Sequence, residues 1–319
     1  MSQLKDTPRM SPSMERIFKR IQQEDAHLPN PLLIPVAEAR AVYKITSSRW
    51  TRVDETPFLI DYFTLTTAGR AMDAVRLTRK VAARSGTLLY LHGGGWVLGT
   101  IQSHFSIMAR LAELTGFTVV GIDYALAPEA PFPAGLNDAV AALRTLRAGA
   151  PAQPWLVAGD SAGANIAMAM MLDLRDAGEP LPDAALLFYG VFSENHETDS
   201  HRQCGGGQFG LSTEKMAWFR QHYLSGQPVS PADPRVSPVH ADLRGLPAIY
   251  LNAAGADCLR DDSVVMAQRL AAAGVPHHFT MFEGVNHGFM QMSSELPEAM
   301  DAFRDVAAFV KARFDPKSA

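Results

Sequence analysis

The chain has 319 residues, 47% of them hydrophobic and 19% charged, and its 29 basic and 33 acidic side chains leave a formal charge of −4. That length suits about two domains, or one large core with an appendage. The apolar content excludes disorder as the dominant state, and the slightly acidic balance, without runs of like charge, excludes the basic footprint that nucleic acid requires.

The N-terminal stretch Met1 to Asp25 is rich in Lys, Arg, Glu and Gln and contains no apolar segment of signal-peptide length. No later segment approaches the ~20 apolar residues that span a bilayer, so a soluble, cytoplasmic protein without a membrane partner is expected. Met14 to Asp25 is amphipathic, and a segment punctuated by Pro29, Pro31 and Pro35 follows it. From Thr87 onward short apolar runs alternate with helix-length amphipathic segments. Strands are expected at Thr87 to Leu91, Phe117 to Ile122, Trp155 to Ala158, Ala184 to Tyr189, Pro247 to Asn252 and His278 to Phe282. Helices are expected at Ser103 to Gly116, with Ser103 as N-cap, along the face Leu136, Ala139, Val140, Leu143 and Leu146, and at Ala162 to Ala177, Asp262 to Ala273 and Pro297 to Phe314. This alternation predicts an α/β fold with a mainly parallel sheet covered on both faces.

Residues 190–245 break the rhythm, with a glycine run at Gly205, Gly206 and Gly207 and a helix-like stretch from Ser212 to Leu224. A connection that long inside a compact domain is usually functional. The expected division is an N-terminal cap segment over residues 1–45, a first core part over 46–189, a cap insertion over 190–245 and a second core part over 246–319.

Gly159-Asp160-Ser161-Ala162-Gly163 matches G-x-S-x-G between an expected strand and an expected helix, the context in which such a serine is held on a sharp turn as a nucleophile. The Ala162 amide, at the helix start, would point at whatever the hydroxyl attacks. His92-Gly93-Gly94-Gly95-Trp96 follows the first core strand, where three glycines allow backbone N–H groups to approach a substrate oxygen. His92 itself reads as a brace of that loop. Of the acids after the strand at 247–252, Asp257 is the candidate partner of a base; Asp262 reads as an N-cap and Asp261 as a first-turn charge. His287 lies after the last strand and completes the chain order Ser161, Asp257, His287, whereas His277 and His278 read as structural. No H-E-x-x-H or C-x-x-C spacing suggests a metal, no cofactor is expected, and Cys204 and Cys258 cannot staple a fold of this size.

These motifs, together with Asp123-Tyr-Ala-Leu-Ala-Pro-Glu-Ala-Pro-Phe-Pro133, resemble the hormone-sensitive-lipase-like esterases of the α/β-hydrolase superfamily, in particular the bacterial acetyl-esterase type. The resemblance runs from Thr87 to Phe289. It implies Ser161 as nucleophile, His287 as base, Asp257 as orienting acid, and an oxyanion hole from the amides of Gly94, Gly95 and Ala162 with Gly93 shaping the loop. It also implies a helical cap from the N-terminus and the long insertion. The chain departs from the family's usual pattern at Ala164 and at Tyr189-Gly190, where glycine and a proline after the tyrosine are common.

The expected activity is hydrolysis of small acyl esters through a covalent acyl-enzyme, with Trp96, Tyr189, Phe192, Phe209 and Phe289 expected around an apolar pocket for short or medium chains. An amidase or carbamate hydrolase with the same triad is the alternative chemistry. A ligand receptor on this fold is the alternative class, disfavoured because Ser161, Asp257 and His287 are all present. The sequence leaves a homodimer open.

Overall fold

A computed structural model describes residues 8–81, 83–150 and 152–315. The chain enters through two helices, α1 (Pro12–Asp25) and α2 (Val36–Ser47), and an antiparallel hairpin, β1 (Phe58–Thr66) and β2 (Ala71–Arg79). There follow β3 (Thr87–Leu91), α3 (Phe105–Thr115), β4 (Thr118–Ile122), α4 (Ala134–Ala148), β5 (Trp155–Asp160), α5 (Ala162–Asp176) and β6 (Ala184–Phe188). The long insertion carries α6 (Asp199–Cys204) and α7 (Thr213–Tyr223), and the chain closes with β7 (Ala248–Ala256), α8 (Arg260–Ala272), β8 (His277–Asn286) and α9 (Pro297–Phe314). The eight strands form one sheet in the order β1-β2-β4-β3-β5-β6-β7-β8, parallel from β4 through β8, which is the expected α/β architecture.

The pleat distributes the core. Successive residues of a strand point to opposite faces, so Leu89 and Leu91 of β3 join one buried cluster with α4, α5 and α8, while Leu88 and Tyr90 join the other with α3 and α9. β3, β5 and β6 are buried at every position, and for that reason they read as unbroken apolar runs. β1 is the opposite case: it lies at the sheet edge, only Phe58 and Leu65 are buried, and Leu59 and Tyr62 face solvent. Its sequence therefore lacks the apolar signature that marks the inner strands, and the hairpin was not among the expected elements.

Several expected boundaries are corrected. Ser103 does not cap α3; the cap position is His104, and the Ser103 hydroxyl accepts from the Thr100 N–H at 2.8 Å. β7 and β8 extend beyond the expected runs, to Ala256 and Asn286, so that each ends immediately before Asp257 and His287. Asp262 is inside the first turn of α8 and does not cap it. Its Oδ2 accepts from the backbone N–H groups of Phe192 (2.8 Å) and Ser193 (2.9 Å), and Asp261 accepts from the Ser200 N–H at 2.8 Å. Both carboxyls thus tie the long insertion to α8.

Burial pushes the Asp262 carboxyl up to about 8, with Asp257 and Glu194 adding to the shift, and burial pushes Glu194 up to about 7. A carboxyl raised above its unfolded value of about 4 contributes stability that is complete below that value and is lost as pH rises through the folded one. Wild-type protein should therefore lose about 1–3 kcal/mol relative to Asp262→Asn between pH 5 and pH 8. Denaturant titrations of both proteins at the two pH values check this, and parallel pH dependences would refute it.

Candidate active site

The turn from β5 into α5 is built around two glycines. A Cβ on Gly159 would run into the Gly163 carbonyl group, and one on Gly163 into the Leu91 carbonyl oxygen of the neighbouring strand. With both side chains removed, α5 can start against the end of β3, and Ser161 between them adopts φ 54°, a left-handed value rare for a non-glycine residue. Strain of this kind, about 1–3 kcal/mol, persists where the surroundings enforce it. Here the Ser161 N–H donates to the Phe188 carbonyl at 2.9 Å and the Ser161 carbonyl accepts from the Val191 N–H at 3.3 Å.

The ends of three parallel strands meet at this turn. Asp257 follows β7, His287 follows β8, and Ser161 follows β5. His287 Nδ1 lies 2.7 Å from Asp257 Oδ2, and His287 Nε2 lies 2.9 Å from Ser161 Oγ. A carboxylate only accepts, so Nδ1 carries the ring proton and Nε2 is left to accept from the serine hydroxyl. Asp257 is almost fully buried, and its other oxygen accepts from the Leu259 N–H at 3.0 Å. Asp261 and Asp262, occupied by the insertion, are not available to the histidine.

A family model described as the α/β hydrolase fold matches residues 88–291 of this chain. The chain belongs to the α/β-hydrolase family. Over 226 residues it is 37% identical to an acetyl-hydrolase from Streptomyces hygroscopicus, covering 70% of this chain and 75% of the relative. Over 241 residues it is 37% identical to an acetyl esterase from Salmonella paratyphi B, covering 71% and 72%. Among solved structures it is similar to an α/β hydrolase from the metagenome of Lake Arreo (TM-score 0.90, 30% identity, 96% of this chain and 99% of that one). It is also similar to an esterase of the bacterial hormone-sensitive lipase family (TM-score 0.85, 29% identity, 98% and 99%). The chain is a hormone-sensitive-lipase-like carboxylic ester hydrolase.

In this esterase the glycine loop after β3 reaches the same turn. The Gly93 N–H donates to Asp160 Oδ1 at 2.8 Å, whereas the amides of Gly94, Gly95 and Ala162 make no hydrogen bond among the described residues. Gly94 and Gly95 line the space in front of Ser161 and have positive φ, 112° and 62°. His92 is buried, its Nδ1 donates to the Gly93 carbonyl at 2.7 Å, and its own carbonyl accepts from the Tyr124 hydroxyl at 2.7 Å. Burial lowers the ring to about 3, so His92 is a neutral brace, and Tyr124 ties the Asp123 to Pro133 segment to the loop.

Asp160 is the site residue that the sequence reading passed over. It is the variable position of the G-x-S-x-G motif, yet its carboxylate is buried and accepts from the Tyr90 hydroxyl at 2.6 Å as well as from Gly93. Burial acts to raise this carboxyl, but His104 and the Tyr90 hydroxyl outweigh it and hold the group below the usual range. The available signal was an acid at the end of an otherwise apolar strand, which requires partners wherever it is buried.

The aromatic residues expected around the pocket lie behind its wall. Trp96 is buried in a stack on Tyr223, with ring centroids 4.4 Å apart. Phe192 is fully buried in the core, Phe289 packs on Tyr189 and Phe282, and Phe209 is half-buried with its carbonyl accepting from Asn286. Tyr189 packs edge-on against the His287 ring at 5.1 Å and so supports the histidine. The space of about 180 Å³ at Ser161 is instead walled by Tyr43, Leu98, Leu211, Met216, Phe219 and Met292. Most of these come from α2 and the insertion, and their contribution depends on packing that no local pattern encodes.

A wider space of about 540 Å³ adjoins it, lined in part by Phe18 and Ile21 of α1, Val42 of α2 and Leu211 of the insertion. Among the described residues no group of His, Cys, Asp and Glu is arranged to hold a metal ion, and no helix is long and apolar enough to cross a membrane.

Proposed function

We propose that this esterase hydrolyses short acyl esters by a two-step serine mechanism, with Ser161 as nucleophile, His287 as general base and Asp257 as its orienting acid. The observation that carries the reading is the unbroken relay of 2.7 Å and 2.9 Å from a buried carboxylate through His287 to a strained serine facing a cavity. His287 takes the Ser161 proton as Oγ attacks the ester carbonyl, and the amides of Gly94, Gly95 and Ala162 stabilise the oxyanion. The alcohol leaves with the proton from His287, and water then attacks the acyl-enzyme by the same route. Covalent labelling of Ser161 by an organophosphate, with loss of ester turnover, tests the assignment; an unlabelled serine in active enzyme would reject it.

The helices α1 and α2 and the insertion act as the cap in this proposal. Their residues wall both spaces, so the substrate is held between the cap and the carboxyl ends of the strands. Short chains are supported by the small inner space at Ser161, about 180 Å³. They are also supported by relatives named as acetyl esterases. In a series of p-nitrophenyl esters, kcat/KM is expected to be highest from acetate to hexanoate and to fall by about tenfold or more at decanoate, each surplus methylene costing up to ~1 kcal/mol when it cannot be buried. A maximum at decanoate would reject the small-pocket reading.

A further inference from the structure

The cavity in front of Ser161 is lined by a lysine that no acidic group pairs with among the described residues. Lys215 stands in the first turn of α7, whose N-cap Ser212 accepts from the Lys215 backbone N–H at 3.0 Å. Its side chain leans over Phe219, one turn further along the same helix face, with the ammonium 5.9 Å from the ring centroid. Among the described residues that ammonium has no hydrogen bond and no ion pair, and burial pulls it below the ordinary lysine range. Lys215 lines both the inner space at the serine and the wider one beside it. The other charged groups around these spaces are engaged: Asp25 pairs with Arg49, and Asp160 accepts from Gly93 and Tyr90.

Lys215 is half-buried, and among the described residues the face of the Phe219 ring offers its ammonium partial compensation but no counter-charge. The remaining source of a counter-charge in that position is whatever occupies the cavity. We propose that Lys215 is a specificity-determining residue that selects esters bearing a carboxylate, its ammonium pairing with that carboxylate while the ester carbonyl lies at Ser161. This rests on the esterase reading given above and names the substrate class of the same site. The carboxylate can belong to the acyl part, as in a half-ester of a dicarboxylic acid, or to the alcohol part, as in the acyl ester of a hydroxy acid.

Two matched pairs test the proposal: p-nitrophenyl hydrogen glutarate against p-nitrophenyl pentanoate, and O-acetyl-lactate against isopropyl acetate. For each pair the ratio of anionic to neutral kcat/KM is measured in wild type, Lys215→Met and Lys215→Arg, so that intrinsic reactivity and any general loss cancel. In at least one pair the ratio should fall about tenfold or more in Lys215→Met, the range for a hydrogen bond to a charged group, and be largely retained in Lys215→Arg. The pair that responds identifies the side of the ester that carries the carboxylate. Ratios that are unchanged by Lys215→Met in both pairs would overturn the proposal. Failure of the underlying esterase reading looks different: wild type would turn over neither member of a pair, or Ser161→Ala would turn them over equally well.

Discussion

Replacing Ser161 with alanine is expected to lower kcat on p-nitrophenyl acetate by about 10⁴- to 10⁶-fold, the loss typical of removing the nucleophile of a serine triad. Only Oγ is removed, and with it the 2.9 Å contact to His287 Nε2. The backbone at this position is held by the Phe188 carbonyl, the Val191 N–H and the two flanking glycines, none of which the substitution touches. Alanine at φ 54° bears much the same backbone cost as serine, so stability should change by less than about 1 kcal/mol. Steady-state turnover and thermal unfolding on the same preparation check both halves. A folded variant that keeps a tenth of wild-type turnover would sink the assignment of Ser161.

Asp160→Ala is the second large effect, and it separates support of the proposed oxyanion loop from the chemistry itself. The substitution leaves the Gly93 N–H and the Tyr90 hydroxyl buried without an acceptor, at a cost of about 2–5 kcal/mol in stability. It also frees the loop that carries the amides of Gly94 and Gly95, so kcat should fall about 10²- to 10³-fold, as for loss of an oxyanion donor. Asp160→Asn keeps one acceptor oxygen and should recover most of the stability and part of the rate. Unfolding curves alongside kcat and KM for both variants test this. If Asp160→Ala loses stability but keeps kcat, the residue supports the fold alone.

Much of the catalytic core was legible because it is local. The inner strands are buried on both faces and read as apolar runs, and the segments between them carry helical periodicity. The glycines at 159 and 163 report a backbone collision that any residue with a Cβ would suffer, so the turn at Ser161 can be inferred without coordinates. The hairpin of β1 and β2 was not legible, because an edge strand half in solvent has no comparable apolar pattern. Asp262 shows a further limit. An acid ahead of a helix looks like a cap, and only the fold brings Phe192 and Ser193, seventy positions away along the chain, to its oxygens.

The aromatic wall failed for the same reason. Trp96 and Phe289 stand beside site residues in the chain, but large apolar rings at such positions are consumed by the core, and the cavity is walled by residues from α2 and α7 that are remote in sequence. By itself, then, the sequence determined the fold class, the strand-to-helix turn, the glycine loop and the order of serine, acid and histidine, because each is written in backbone requirements and burial within a short window. The tertiary structure decided that Asp257 alone among three acids reaches His287, that Asp160 anchors the glycine loop, and that Lys215 lines the cavity with no counter-charge among the described residues. Those outcomes depend on which distant segments compete for the same carboxylate or ammonium, and that competition exists only once the chain is packed.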